Sequence, residues 1–207
     1  MDRRTRVVCK AESLGAMWEY IHRTKNTPQP GVIVLDADHC GSADTLRATL
    51  LELHRTVNPL RVLCQSLYPD EALITTAIEG GAAGYLIKSE VRYHIAWVVA
   101  CAFQNEFVIT PGIAQCHPVK KLNKSTLIRT RAFSNLTKRQ REVLEFTLLE
   151  GMPAKVLADE LLIGYQTVRG HIRDGYDILR AEDDLEFPER LSEEERAFMR
   201  LTRPEDN

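Results

Sequence analysis

Residues 32–36 read VIVLD, four apolar residues that run into one carboxylate, Asp36, with ADHCG following. An unbroken apolar run of this kind suits a strand covered on both faces, as in a parallel sheet. Asp36 is then either a phosphate acceptor or only an acid left at the end of a buried strand. The flanking sequence has to decide between the two.

Strands and amphipathic helices alternate outward from this stretch. TRVVCKA (5–11) reads as a strand, and SLGAMWEYIHRT (13–24) carries Leu14, Met17, Trp18 and Ile21 at helical spacing. After VIVLD, SADTLRATLLELHRT (42–56) reads as a helix, RVLCQS (61–66) as a strand and DEALITTAI (70–78) as a helix stopped by Gly80-Gly81. GYLIK (84–88) reads as the next strand, and Ser89 is expected to cap a helix over VRYHIAWVVACAFQN (91–105). This alternation implies an α/β sheet with right-handed crossovers.

Residues 111–135, with two prolines, little periodicity and many charges, read as a linker. Only helices follow. Thr137 and Gln140 make a capping-box signature for a helix near 138–149, which stops at Gly151. A short helix is expected over 154–161 and a third over about 165–180, with Gly164 at its start. Ser192 and Glu195 form a second capping box, before EEERAFMRLT.

The 207-residue chain has room for two small domains, and its 44% hydrophobic and 27% charged residues suit a globular core. No apolar run approaches the roughly 20 residues of a membrane-spanning helix, and MDRRTRVVCKAE lacks the apolar stretch of a secretory signal. A cytoplasmic protein with no membrane partner is expected. Five scattered cysteines argue for reduced thiols rather than a disulfide framework. The net charge of −2 hides an asymmetry: residues 114–180 hold 12 Lys/Arg against 7 Asp/Glu, and residues 181–207 hold 4 against 10. Eight basic residues and no acidic one lie from Lys120 to Arg141, which suits either a phosphate-rich partner or a solvated linker.

Residues 136–180, LTKRQREVLEFTLLEGMPAKVLADELLIGYQTVRGHIRDGYDILR, resemble the LuxR/NarL-type helix-turn-helix domain, whose pattern is roughly LTxREREVL, EGxxxKEIA, then IxxxTVKxHxxxIxxKL. One extra residue falls near Thr147–Leu149. In the third helix Val168, Ile172, Tyr176 and Leu179 form an inward stripe, while Arg169, Gly170 and Arg173 lie off it. The resemblance implies that Arg169, Gly170 and Arg173 meet base edges in the major groove of double-stranded DNA. Lys155, Thr167 and His171 are candidate phosphate contacts. Half-sites are read in pairs, so a homodimer is expected. The family's long last helix, a dimer surface, is replaced by EDDLEFPERLSEEERAFMRLTRPEDN. Leu191, Ala197, Phe198 and Leu201 offer a short apolar contact face there, and the acidic tail is a candidate to fold against the basic segment and weaken DNA binding.

Residues 1–113 resemble the receiver domain of response regulators. Asp36 takes the phosphoacceptor position, Ser66 the Ser/Thr position, Lys88 the lysine position and Tyr85 the aromatic switch position. The fold implied is a flavodoxin-like α/β receiver lacking one strand-helix unit, followed by an all-α LuxR-type domain: receiver-like 1–113, basic linker 114–134, helix-turn-helix with acidic tail 135–207. The strand that would carry an acidic pair is absent before Asp36, with Glu12 the nearest substitute, and His39-Cys40 replaces the usual Met-Pro. Phosphoryl transfer to a carboxylate brings anionic oxygens together, and Mg²⁺ held by further carboxylates normally neutralises them. With one carboxylate the metal would be poorly held. The expectation is therefore no cofactor or metal, no conventional Mg²⁺-dependent phosphorylation, and an Asp36–Lys88 ion pair. Three ways of completing the sheet stay open: strand 5–11 moves in beside 32–36, a partner chain fills the gap by swapping, or the true start of the chain lies upstream.

Two other functions stand beside a DNA-binding regulator with an atypical receiver: a conventional response regulator phosphorylated at Asp36 by a sensor kinase, and a protein-interaction module that has lost specific DNA binding, which Gly170, Gly175 and the acidic tail favour. A thiol signal at Cys9, Cys40 and Cys64 ranks below buried apolar packing. His39-Cys40 and Cys116-His117 lack zinc-site spacing, and no phosphate loop, nucleophile elbow or catalytic triad stands out, so an enzyme is not expected.

Overall fold

The computed structural model describes residues 5–23, 29–104, 107–122, 124–129, 131–203 and 205. The chain divides between Arg129 and Thr130 into two compact units. The first is a five-stranded parallel sheet with helices, a flavodoxin-like arrangement, and the second is all helical.

In the first unit α1 (Leu14–Arg23) precedes β1 (Val32–Asp36), and a 3-10 turn (Asp38–Cys40) leads to α2 (Ala43–Thr56). Then come β2 (Arg61–Ser66), α3 (Glu71–Glu79), β3 (Gly84–Ile87), α4 (Lys88–Val91), α5 (Ile95–Gln104), β4 (Val108–Ile109), α6 (Pro111–Ala114), α7 (His117–Lys120) and β5 (Thr126–Leu127). The local signals act as expected. Ser42 caps α2 by accepting from the Thr45 N–H at 3.1 Å, and Asp70 caps α3. Gly81, at φ +76°, turns the chain out of α3 into β3, a conformation that costs glycine little. Leu46, Leu50 and Leu53 of α2 are fully buried against Val62, Cys64 and Tyr85 on one face of the sheet, and Val98 and Ala102 of α5 cover Leu63 and Leu86 on the other.

The strands lie side by side in sequence order, β1-β2-β3-β4-β5, all parallel. This corrects the expected sheet at both ends. Residues 5–11 form no strand, and Val7 is 67% exposed. A β-rich run becomes a strand only when its backbone groups find a neighbouring ladder, and here β1 ends the sheet. At the far end, residues 114–134 are not simply a linker, because they supply α7 and β5. The Thr126 N–H donates to the Phe107 carbonyl and the Ile128 N–H to Ile109, each at 2.8 Å. The first unit therefore runs past residue 113 to Arg129. The helix expected over 91–105 is broken: α4 starts at Lys88 with Ser89 inside it rather than capping, a 3-10 turn covers Arg92–His94, and α5 begins at Ile95.

The second unit comprises α8 (Lys138–Leu144), a π-helical turn (Glu145–Leu149), α9 (Ala154–Glu160), α10 (Tyr165–Ala181) and α11 (Glu193–Leu201). Both expected capping boxes, Thr137/Gln140 and Ser192/Glu195, are formed. The helix read as continuous over 138–149 widens to a π turn over Glu145–Leu149. One extra residue inside a helix is absorbed in this way, so the additional residue near Thr147–Leu149 has a structural home. Leu191, Ala197 and Leu201 are buried and Phe198 half-buried; Ala197, Phe198 and Leu201 pack with Phe133, Leu136, Leu144, Leu148 and Leu179. The apolar face read at the C-terminus is thus spent inside this unit.

Candidate functional site

The parallel register brings the ends of β1, β2 and β3 together: Asp36 lies opposite Gln65, and Ser66 opposite Ile87. Three residues picked from sequence, Asp36, Ser66 and Lys88, therefore stand at the carboxyl edge of the sheet, where open α/β folds place ligands. Lys88 Nζ lies 2.7 Å from Asp36 Oδ2 and 2.9 Å from Asp38 Oδ2. His39 Nδ1 is 2.8 Å from Asp36 Oδ2, and the Asp38 N–H donates to Asp36 Oδ1 at 3.1 Å. Asp38 also accepts from the Leu67 N–H at 2.9 Å, which ties the β1 loop to the end of β2. Sequence reading passed over Asp38; its only signal is a second carboxylate two residues beyond Asp36.

Burial opposes ionisation of Asp36, but hydrogen bonds and charge from Lys88 and His39 outweigh it and hold the carboxyl below its ordinary value. Burial likewise opposes the Lys88 ammonium, and Asp36 and Asp38 more than compensate, so its pKa is raised. Ser66 is fully buried and its hydroxyl donates to the Tyr68 carbonyl at 2.7 Å. Tyr85 is also fully buried. Burial pushes its phenol up to about 12, partly eased by the nearby Ser66, and no hydrogen bond of ordinary geometry reaches its hydroxyl among the described residues. Burial pushes the Cys64 thiol up to about 12, and Cys40 is raised for the same first reason. Both thiols are held protonated and unreactive.

A receiver-type fold implies Mg²⁺, and the donor set here does not suit it. Asp36 and Asp38 both spend an oxygen on the Lys88 ammonium. Among the described residues no group of three or more His, Cys, Asp or Glu is placed to hold a metal. A divalent ion at this position would have to displace Lys88 from both carboxylates.

In the helical unit, α9 and α10 are joined by a tight turn. The Leu161 N–H donates to the Leu157 carbonyl and the Ile163 N–H to Ala158, both at 3.0 Å, and Leu162 takes φ 52°. Arg139 of α8 braces this turn by donating to the Leu161 carbonyl at 2.8 Å while paired with Glu142 at 2.6 Å. Val168 and Leu179 of α10 are fully buried, and Ile172 and Tyr176 half-buried, as the sequence stripe requires. Gly175 belongs to that face too. A Cβ there would meet Leu144 Cδ1 at 2.8 Å, so the glycine lets α10 lie close on α8 where the family pattern has isoleucine. This takes Gly175 out of the features that favoured a drifted domain.

On the opposite face Thr167, Arg169 and Arg173 are exposed, Gly170 and His171 are half-buried, and a Cβ on Gly170 would meet nothing within 4 Å. Lys155 is exposed on α9. The two arginines are held differently. The Arg169 guanidinium lies 5.9 Å from the centre of the Tyr165 ring, four residues earlier. Arg173 instead donates to Asp174 Oδ1 at 3.1 and 3.0 Å. Tyr165, 45% exposed at the first turn of α10, was missed in the sequence; an aromatic at i−4 from a candidate base reader is the signal.

Asp183, with its side chain wholly buried, lies 3.3 Å from Arg131 and 2.7 Å from Arg203, with Arg200 Nε at 3.9 Å. Arg131 also donates to the Glu182 carbonyl. One residue of the basic segment is thus clasped by the acidic C-terminal stretch, through a single buried carboxylate.

Residues 134–186 match the family described as bacterial regulatory proteins, luxR family. Among curated proteins, the chain is 30% identical over 128 residues to the probable transcriptional regulatory protein NarL of Mycobacterium tuberculosis, covering 60% of this chain and 56% of that one. It is 27% identical over 145 residues to the nitrate/nitrite response regulator protein NarL of Escherichia coli strain K12, covering 70% and 65%. The chain thus spans between about half and two thirds of the length of these relatives. Among solved structures it is similar to two RcsB dimers bound to two parallel DNAs, with 14% identity, a TM-score of 0.44, and coverage of 82% of this chain and 76% of that one. Residues 134–186 thus carry the luxR-family match, and the chain is similar to NarL-type response regulators over part of their length.

Proposed function

We propose that the protein is a DNA-binding transcriptional regulator of the response-regulator type whose receiver-like unit is not switched by conventional Mg²⁺-dependent aspartyl phosphorylation. The observation that carries the first part is the division of α10: Val168, Gly175 and Leu179 face the core, and Arg169 and Arg173 face solvent. A recognition helix needs this division, with the outer face entering the major groove. Arg169, Gly170 and Arg173 meet base edges, and Lys155, Thr167 and His171 meet phosphates. Arg169 is the stronger reader, because Arg173 must first leave Asp174. The protein acts by binding rather than by turning over a substrate, as a homodimer on paired half-sites.

The second part rests on the ion pairs at Asp36. Lys88 bridges Asp36 and Asp38 and takes the place of a metal between them. Asp36, Ser66, Tyr85 and Lys88 keep the receiver geometry as structure, and the input arrives through a partner protein or another interface. Among the described residues no helix is long and apolar enough to cross a membrane.

Two experiments test these parts separately. Enrichment of duplexes from a randomised pool, followed by titration with Arg169→Ala, tests DNA reading: enrichment of one motif that the variant binds at least about fivefold more weakly is expected, one good bidentate contact being worth about 1–3 kcal/mol. No enrichment would contradict it. Intact mass after acetyl phosphate and Mg²⁺, beside Asp36→Ala, tests the silent receiver. No adduct is expected; a Mg²⁺-dependent adduct on the wild type alone would restore the conventional switch by a sensor kinase.

A further inference from the structure

Among the described residues β1 ends the sheet, and the hydrogen bonds at its two ends show which of its groups face outward. The Gly31 carbonyl accepts from the Arg61 N–H at 3.0 Å, and the Ala37 N–H donates to the Gln65 carbonyl at 2.8 Å, so the odd-numbered residues of β1 face β2. In a parallel ladder alternate residues turn both backbone groups the same way. The N–H and carbonyl of Val32 and Val34 therefore point off the free edge, and Val34 is 37% exposed. β1 carries no proline, lysine or bulge, the usual protections of an open edge.

The complementary half is in the same chain. Residues 5–11, TRVVCKA, are rich in β-branched residues and lie outside any element, and no described hydrogen bond involves them. We propose that the free edge of β1 is an interface with a second copy of this chain, whose residues 5–11 add to it as a parallel strand, each copy donating to the other.

The side chains decide which face of the added strand turns to the core. With Val8 beside Val34, Val7 falls beside Ile33 and Cys9 beside Leu35, on the apolar face that α1 covers. Lys10 then falls beside Asp36, at the acidic end of β1. A slip of one residue either way would put Arg6 beside Ile33 or Lys10 beside Leu35, a charge against the core in each case. Val32 and Val34 each give one hydrogen bond and accept one, from residues 5, 7 and 9. This interface supplies the dimer invoked above but does not depend on DNA binding, and a monomer that still reads DNA would overturn it alone.

The test is sedimentation of the full chain over a hundredfold range of concentration, with Val7→Pro and Val34→Pro. Proline at 34 removes an N–H that faces away from β2 and is tolerated on an edge. Proline at 7 falls in a segment with no hydrogen bond to lose in the single chain. The expected result is a wild-type dimer whose dissociation constant rises at least about tenfold in each variant, as loss of an interface hydrogen bond with strand geometry implies. A wild-type monomer throughout, or dimers unaffected by both prolines, would overturn the proposal. So would amide protection at Val32 and Val34 that does not vary with concentration, since the chain's own segment would then be filling the edge.

Discussion

Lys88 sets one ammonium between two carboxylates, Asp36 and Asp38, and with His39 it holds the Asp36 carboxyl ionised. The folded pKa of Asp36 is depressed below 3.8, so its contribution to stability is complete above that value and is lost as pH falls through the lower folded value. Asp36→Asn should therefore lose stability relative to wild type at pH 5 to 7, with the gap closing below about pH 4; urea denaturation across that range measures it, and a gap independent of pH would contradict the ion-pair account. Lys88→Ala should cost about 1 kcal/mol, since the site is partly open to water. Gly175→Ala should cost about 1–3 kcal/mol by overpacking against Leu144, and Leu144→Ala in the same chain should recover part of it. At this scale the sequence singled out Asp36, Ser66 and Lys88, and the strand ends bring the three to one edge of the sheet. Asp38 and Tyr165 were missed because their importance lies in contacts that no motif states.

Elements were legible where the signal is local. Capping boxes, the helix over 43–56 and the strand over 61–66 follow from spacing and terminal residues alone. β5 is two residues long and exists only through bonds to Phe107 and Ile109, so no periodicity could reveal it, and its segment read as a linker. Conversely, residues 5–11 have strand composition and no ladder in the single chain. The π turn is the intermediate case: the extra residue was visible, its accommodation was not. Thr147 within it has a buried hydroxyl with no partner among the described residues. Deleting Thr147 should restore regular helix and give a folded domain with a midpoint equal to or above wild type in thermal denaturation; an unfolded product would show that the π turn positions α9. At the C-terminus, Asp183→Ala would leave Arg131, Arg200 and Arg203 facing a void and should destabilise the helical unit by about 3 kcal/mol. Because α11 is core, deleting 183–207 would unfold the unit, and the acidic tail's effect on DNA is better tested by charge reversal at exposed Glu194.

For the whole molecule, a net charge of −2 would predict weak attraction to nucleic acid, yet the charge is divided so that residues 114–180 are basic and only the last stretch is strongly acidic. Association with DNA should then depend steeply on salt although the protein is acidic overall. Fluorescence anisotropy of the untreated chain on an enriched duplex as salt is raised, beside Arg169→Ala/Arg173→Ala, decides whether α10 reads DNA. Saturable binding without phosphorylation is expected. The logarithm of affinity should fall linearly with the logarithm of salt at a slope of about −3 or steeper, as three or more phosphate-neutralising cations imply, and the double variant should bind the enriched duplex more weakly. Absence of binding at about 50 mM salt, or a double variant indistinguishable from wild type, would contradict the assignment of α10 as the DNA-reading helix.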